Sequence, residues 1–192
     1  MATRLRIFDL VADNADDPTL LAVGSLRFHA IERGGKYGIR VRDIEHPARK
    51  QFAGLEYFPI SMDWRIEARF EPYVPSKRIN IINILGMTEA MESPGALVFN
   101  KEGHSWRLDA ILESPSDDQL FVMLTDGSSG RESYGAGRYL YIPKPGNEPI
   151  WLDFNKAYNP PCAFTEFATC PLPPKQNRLS LSIEAGEKKY QH

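Results

Sequence analysis

Polar and apolar residues alternate strictly along residues 63–71, DWRIEARFE. The four apolar side chains fall on one face of an extended chain, and the five charged ones fall on the other. This period of two predicts a β-strand with one buried and one solvent-facing side. The same alternation predicts strands over residues 104–112 and 179–184, where apolar residues recur at every second position.

Other apolar runs predict the rest of the secondary structure. Residues 79–85, INIINIL, are apolar on both faces apart from Asn80 and Asn83, which predicts a central strand covered on both sides or a strand that crosses a barrel interior. Two alternating runs flank Arg33-Gly34-Gly35, and this predicts a hairpin because glycine takes the positive φ that tight turns need. Further strands are predicted over residues 120–125, 138–142 and 150–154, and a short helix that starts at Pro47 over residues 47–52.

About ten short strands separated by turns predict an all-β fold. We expect a single antiparallel β-barrel or β-sandwich with little helix and a Pro-rich C-terminal segment. The length of 192 residues fits one such domain over residues 1–192. A chain of this size buries roughly 70% of its unfolded surface, so it needs neither a metal nor a disulfide to complete its core.

The composition narrows the classes of function. The net charge of −2 lacks the basic excess with which nucleic-acid-binding domains attract phosphates, so no nucleic-acid partner is expected. No segment approaches the roughly 18 uncharged apolar residues of a membrane span. The first residues, MATRLRIFDL, carry charges where a signal peptide would be apolar. The sequence therefore predicts a cytoplasmic protein with no membrane partner and with reduced thiols.

A glycine-rich loop over residues 125–138, TDGSSGRESYGAGR, is the first candidate for a functional site. It is not a P-loop, because no Gly-Lys-Ser/Thr follows its glycines at the required spacing. Its backbone could approach a ligand, with Arg138 binding an anionic group and Tyr134 acting as a hydrogen-bond donor. The alternative is a long hairpin connection with an ion pair at its base.

The second candidate is the strand over residues 151–159, WLDFNKAYN. Asp153 and Asn155 share one face of this strand. They could form the wet side of a sheet, or line a barrel mouth and orient Arg138. Asp153 is also a weak candidate for a general base, because burial raises the pKa of a carboxyl group.

The Pro-rich segment, residues 158–177, contains Cys162 and Cys170, which are the two cysteines of the chain. A disulfide between them would close a short loop, but a reducing compartment disfavours it. Seven residues separate them and no histidine lies nearby in sequence, so no metal site is predicted. Cys162 is a weak candidate nucleophile that would need a base such as His104. The remaining alternative is a pair of buried, inert thiols.

The prolines of this segment predict a rigid, irregular backbone outside the sheet ladders. Its N–H and C=O groups must then be bonded by other groups. Asn155, Asn159 and Asn177 suit that role, because an amide side chain both donates and accepts hydrogen bonds. A purely structural explanation of these asparagines is therefore available.

Several stretches resemble a bacterial and archaeal family known as domain of unknown function 1684. The longest is DFNKAYNPPCAFTEFATCPLPPKQNRLSLSIEAGEK over residues 153–188. The others are RGGKYGIRVRD, FAGLEYFP, SPGALVF and TDGSSGRESYGAGRYL, over residues 33–43, 52–59, 93–99 and 125–140. Longer members carry an additional N-terminal β region, so this chain is expected to correspond to their C-terminal part.

The resemblance implies an all-β domain and brings no activity or cofactor with it. It implies that a set of residues belongs to a shared pattern: Tyr134, Gly137, Arg138, Asp153, Asn155, Tyr158, Asn159, Cys162, Cys170, Asn177 and Glu187. His104 matches no family position, which weakens a Cys162–His104 pair.

Three functional hypotheses follow. The first is binding of a small neutral or anionic molecule in a polar pocket formed by the glycine-rich loop, the strand that contains Asp153, Phe154 and Asn155, and the Pro-rich segment. The alternatives are a non-catalytic interaction or structural module whose polar motif is an internal network, and a thiol-dependent enzyme that uses Cys162. The ligand-binding candidates are Tyr134, Arg138, Asp153, Asn155, Tyr158, Asn159 and Cys162.

Overall fold

The computed structural model of the chain describes residues 8–33, 35–146 and 148–191. The chain divides into two compact units, residues 1–54 and 55–192, and each is described by itself. The prediction of a single domain over residues 1–192 stays a prediction. Among the described residues, no helix has the length and apolar composition that crossing a membrane requires.

The first unit contains a three-stranded antiparallel sheet of β1 (Leu21–Val23), β2 (Leu26–Arg33) and β3 (Lys36–Asp43). β2 and β3 form the predicted hairpin, and Gly34 of its turn lies outside the described residues. The predicted helix follows as α1 (Pro47–Gln51). His46 precedes it, and its Nδ1 accepts a hydrogen bond from the Ala48 N–H at 3.2 Å, which satisfies one unpaired donor of the first turn.

The second unit is a six-stranded antiparallel sheet in the order β8-β7-β6-β5-β4-β9. Its strands are β4 (Arg65–Ile82), β5 (Thr88–Lys101), β6 (His104–Leu112), β7 (Gln119–Leu124), β8 (Arg138–Pro143) and β9 (Ile150–Asp153). Tyr158 lies just after β9 and exchanges two backbone hydrogen bonds with Tyr139 of β8, at 2.9 and 3.0 Å. The sheet thereby nearly closes into a barrel. This arrangement confirms the all-β prediction.

β7 is the strand that is buried on both faces. Leu120, Val122 and Leu124 belong to the central core cluster. Phe121 and Met123 point the other way into a second buried cluster, which also contains Cys170 of the Pro-rich segment. The Pro-rich segment thus covers the outer face of this part of the sheet.

The prediction that residues 79–85 are covered on both sides is wrong. Ile81 is buried in the second cluster, but Ile82, Ile84 and Leu85 are exposed. β4 ends at Ile82. Its backbone here is bonded to β5 and to the Pro-rich segment, where the Leu172 N–H donates to Ile82 O at 2.8 Å, but neither covers the side chains of Ile82, Ile84 and Leu85. An apolar run specifies burial only where another layer of the fold reaches it.

The last predicted strand, over residues 179–184, is also wrong as a strand, although its alternation is correct. Leu179, Leu181 and Ile183 are buried in the central core, and they belong to no strand. The segment is bonded instead to the glycine-rich loop. The Leu179 N–H donates to Thr125 O at 2.9 Å, and the Gly127 N–H donates to Leu181 O at 2.8 Å. We name residues 178–188 the C-terminal segment.

Candidate functional site

Arg138 stands at the start of β8 and has no exposed surface. Its Nη2 donates to Asp126 Oδ2 at 2.9 Å, and both side chains of this ion pair are fully buried. The hypothesis that Asp153 orients Arg138 is therefore wrong. Asp126 lies two residues beyond the end of β7, the strand that pairs with β8. The acid therefore comes from the β7 side of Arg138, and Asp153 of β9 does not supply it.

Arg138 also bonds the C-terminal segment. Its Nη2 donates to Ile183 O at 2.8 Å, and its Nη1 donates to Ala185 O and to Glu187 O. Carbonyl groups of alternate residues point the same way along an extended chain. The guanidinium therefore donates to these three carbonyls the hydrogen bonds that a neighbouring strand would supply. This explains how the segment is held in place although it belongs to no β-ladder.

Asp126 is saturated by further donors. Its Oδ1 accepts hydrogen bonds from Ser128 N at 2.7 Å, Ser128 Oγ at 2.5 Å and Ile183 N at 3.2 Å. Arg138 and Asp126 together thus join β8, the glycine-rich loop and the C-terminal segment. Within the described part of the chain, Arg138 Nε is one of two buried side-chain atoms with no hydrogen-bond partner.

Asn177 completes the sheet where its ladder is interrupted. β6 and β7 are paired at Ile111 and Phe121. Two residues further along each strand, Asp109 and Met123 would form the next pair, and the Asn177 amide lies between them. Its Oδ1 accepts from Asp109 N at 2.7 Å, and its Nδ2 donates to Asp109 O and Met123 O, both at 2.9 Å. A side-chain amide here substitutes for a peptide group.

The side chains of Asn155 and Asn159 also bond backbone groups. Asn155 Oδ1 accepts from Ser61 N at 3.0 Å, and its Nδ2 donates to Ser61 O and to Asp153 Oδ1, both at 2.9 Å. The buried Asn159 donates from Nδ2 to Lys188 O at 2.8 Å, and its backbone N–H donates to Glu187 Oε2 at 2.7 Å. These bonds support the structural explanation of the asparagines.

Asp153 lies apart from Arg138, at the end of β9. Its Oδ1 accepts from Asn155, and its Oδ2 lies 3.9 Å from Lys156 Nζ. It is also the residue that precedes a short 3-10 helix, Phe154–Lys156, and caps it. Capping accounts for this carboxylate without a catalytic role.

Tyr134 and Cys162 are in direct contact, as are Asp153 and Asn155. The Tyr134 hydroxyl, in the glycine-rich loop, donates to Cys162 O at 2.9 Å. Burial, together with the neighbouring Cys162 thiol, raises the pKa of Tyr134 to about 12. Tyr158 packs edge-on against Tyr139 at 5.8 Å between ring centroids, and burial raises the pKa of both hydroxyls. These phenols are neutral donors at physiological pH.

His104, the candidate base for Cys162, stands at the start of β6. Its Nδ1 lies 2.8 Å from Glu102 O, and its ring packs on Trp106 at 5.9 Å between centroids. Across the described ranges there is no cluster of three or more histidine, cysteine or acidic side chains that could hold a metal ion.

A cleft of about 530 Å³ opens where the glycine-rich loop meets the Pro-rich segment. Its volume is in the range of small-molecule sites. It is lined by Ile84, Thr125, Asp126, Ser129, Gly135, Ala136, Leu172, Pro173 and Arg178. Arg138 does not line it, because its guanidinium lies beneath the loop with its charge neutralised by Asp126.

The cleft offers groups that suit an anion. Arg178 is exposed at its edge, and no acidic partner is found for it in the described part of the chain. Ser129 Oγ accepts from Asp126 N at 3.0 Å, which leaves its hydroxyl hydrogen able to donate. The N–H groups of Gly135 and Ala136 donate to no protein acceptor within residues 8–33, 35–146 and 148–191.

A larger depression of about 740 Å³ lies elsewhere, over β4, β5 and residues 145–150. Its arginine, Arg69, already pairs with Glu71 at 2.5 Å. None of the seven predicted ligand-binding residues lines this depression or the smaller cleft. The larger depression brings together no set of unpaired donors comparable to that of the smaller cleft.

The predicted site residues therefore divide into four places. Tyr134 and Cys162 lie at the junction of the glycine-rich loop and the Pro-rich segment, and Asp153 and Asn155 lie at the end of β9. Tyr158 and Asn159 are bonded to β8 and to the C-terminal segment, and Arg138 is inside the buried network. Sequence reasoning missed Asp126 and Arg178. Asp126 follows an apolar strand and could be suspected for that reason, whereas the position of Arg178 depends on how the Pro-rich segment folds back.

Comparison with known proteins adds a family and one solved structure. The model of a family described as "Protein of unknown function (DUF1684)" matches residues 50–188. The solution NMR structure of an uncharacterized protein of Haloarcula marismortui is 32% identical, with a TM-score of 0.60. The match covers 73% of this chain and 78% of that one. No curated protein matches the chain.

Proposed function

The chain belongs to the family of proteins of unknown function DUF1684, and we propose that it binds a small anionic molecule in the cleft between the glycine-rich loop and the Pro-rich segment. The observation that carries the proposal is the unpaired, exposed Arg178 at the edge of this cleft. Ser129, Gly135 and Ala136 line the same cleft, and the N–H groups of Gly135 and Ala136 donate to no acceptor among the described residues. A cation with several neutral donors is the usual recognition set for a carboxylate or phosphate.

The buried network supports this role indirectly. Binding loops that are held in one conformation lose little entropy when a ligand arrives. Arg138 and Asp126 anchor the base of the glycine-rich loop, and Tyr134 ties its tip to the Pro-rich segment. In this proposal Tyr134 and Cys162 form the support of one cleft wall. Asp153, Asn155, Tyr158 and Asn159 are support residues farther from it.

A second candidate is a non-catalytic interaction or structural module. The observation that favours it is that the side chains of Arg138, Asn177 and Asn159 all donate hydrogen bonds to backbone carbonyl groups. Under this alternative the family's shared polar pattern maintains the docking of the C-terminal segment, and the cleft carries no ligand.

The discriminating experiment uses Arg178, because removal of Arg138 would disturb folding under either alternative. Thermal shifts are measured with a panel of phosphate, sulfate, mono- and dicarboxylates and nucleotides. A ligand at 100 times its Kd adds about 2.7 kcal/mol of stability, or a rise of roughly 5–10 °C in Tm. Arg178→Gln should lose most of that shift without a change in its own Tm.

Lys175→Gln is the matched control, since it removes an exposed cation three residues before Arg178 that does not line the cleft. It should keep the full shift. If Arg178→Gln and Lys175→Gln bind a ligand as tightly as the natural protein, the cleft is not the site. If nothing in the panel shifts Tm, the structural module becomes the better account.

A further inference from the structure

The two cysteines lie side by side although eight positions separate them. Cys162 is part of a short 3-10 helix, Pro161–Ala163, and its backbone N–H donates to Cys170 Sγ at 3.1 Å. Both thiols are free. With an N–Cα bond of about 1.46 Å, Cys170 Sγ lies within about 4.6 Å of Cys162 Cα. The Cys170 sulfur is thus adjacent to the residue with which it would form a disulfide.

The two thiols differ in access. Cys162 is partly exposed, whereas Cys170 is 5% exposed and packs in the second buried cluster. Burial raises the pKa of the Cys170 thiol to about 11, which keeps it protonated at neutral pH. A reagent from solution therefore reaches Cys162 first, and the buried Cys170 lies next to it.

The backbone around both residues is fixed on the sides away from the pair. Cys162 O accepts from the Tyr134 hydroxyl at 2.9 Å, and Cys170 O accepts from Ile84 N at 3.0 Å. The Tyr139 hydroxyl also donates a hydrogen bond to Pro171 O at 2.6 Å. The tip of the connecting loop is exposed, with Phe167 at 82%. The loop can adjust to a new bond while the anchors stay in place.

We propose that Cys162 and Cys170 form a reversible thiol–disulfide pair in which Cys162 reacts with a peroxide and Cys170 resolves the product. Cys162 Sγ attacks one oxygen of hydrogen peroxide, the O–O bond breaks, and a sulfenic acid forms at Cys162 with release of water. Cys170 Sγ then attacks the Cys162 sulfur. The S–S bond forms, the S–O bond breaks, and the hydroxyl leaves as a second water with the Cys170 proton.

The balance is two thiols and one peroxide to one disulfide and two waters, with two electrons passing from the sulfurs to the peroxide. Two neighbouring thiols, one accessible and one protected, form the arrangement of a redox-sensitive cysteine with its resolving partner. This inference does not depend on a ligand in the cleft.

The test uses the full reduced chain treated with a slight excess of hydrogen peroxide and then alkylated. Trypsin releases residues 157–175, which contain both cysteines, as one peptide. This peptide should become lighter by two hydrogens and resist alkylation, independently of protein concentration. If it keeps two alkylated thiols, or passes to sulfinic acid without a disulfide, the proposal is overturned.

Variants then assign the roles. Cys170→Ser should accumulate a dimedone-reactive sulfenic acid at Cys162, whereas Cys162→Ser should react at Cys170 at least about tenfold more slowly, because burial protects that thiol. Equal or faster labelling of Cys170 would overturn the assignment.

A measurement on the unsubstituted protein tests the proposal even if either variant misfolds. The natural protein is equilibrated in glutathione buffers of increasing oxidation. The intramolecular disulfide should form within this series and disappear when the buffer is made reducing. Failure to form it even in fully oxidised glutathione would overturn the proposal.

Discussion

Replacement of Arg138 by methionine tests the buried network most directly. Methionine fills a similar length of apolar space but removes every hydrogen-bond donor. The change deletes the ion pair with Asp126 and leaves the carbonyls of Ile183 and Ala185 without their donor. Removing one partner of a buried ion pair costs about 3–5 kcal/mol, because the other charge stays buried without compensation.

Each orphaned carbonyl adds about 1–3 kcal/mol, although these costs overlap with the first. We therefore expect Arg138→Met to lower the free energy of unfolding by about 5 kcal/mol, out of the 5–15 kcal/mol typical of a domain. Urea unfolding measures this loss. Hydrogen exchange should show that residues 183–187 lose protection first, since Arg138 holds this stretch.

The matched control is Arg131→Met in the same loop. The Arg131 side chain is 67% exposed, and it bonds Gly127 O at 2.5 Å. Its loss should cost less than about 0.5 kcal/mol. The double variant Asp126→Asn with Arg138→Met should be less destabilised than the sum of its single changes, because the uncompensated carboxylate is gone. A cost below about 1 kcal/mol for Arg138→Met would refute the reasoning.

Three further predictions concern local features. Gly137→Ala should destabilise the protein strongly, because Gly137 has φ +101° and a Cβ there would lie 2.5 Å from Leu124 O. Gly135→Ala should not, and equal melting temperatures of the two variants would contradict this prediction. Asn177→Ala should cost about 2–4 kcal/mol in urea unfolding, since three buried backbone groups lose their partner. Burial raises the pKa of Cys170 to about 11, so the folded state retains a proton that the unfolded chain releases. Stability should therefore fall by about 2 kcal/mol as the pH rises from about 9 to 11, and Cys170→Ala should flatten this part of the profile.

The amino-acid sequence by itself indicated β4 and β6 to β9 but not β5, and it indicated the irregular backbone of the Pro-rich segment. The alternation of residues 104–112 and the short apolar runs predicted β6, β7, β8 and β9, because a period of two is a local property of the chain. The prolines of residues 158–177 predicted a backbone outside the ladders. The asparagines were correctly identified as groups that bond backbone, but the backbone they bond lies outside residues 158–177, at Ser61, Asp109, Met123 and Lys188.

Only the tertiary structure decided which groups meet. The pairing of Arg138 with Asp126 depends on the register of β7 against β8, and the place of Asn177 depends on an interrupted ladder between β6 and β7. The exposure of residues 82–85 and the contact of Cys162 with Cys170 likewise depend on where the chain folds back. Hydrogen bonds and burial between distant residues are set by packing, and a local pattern carries no information about the layer that will cover it.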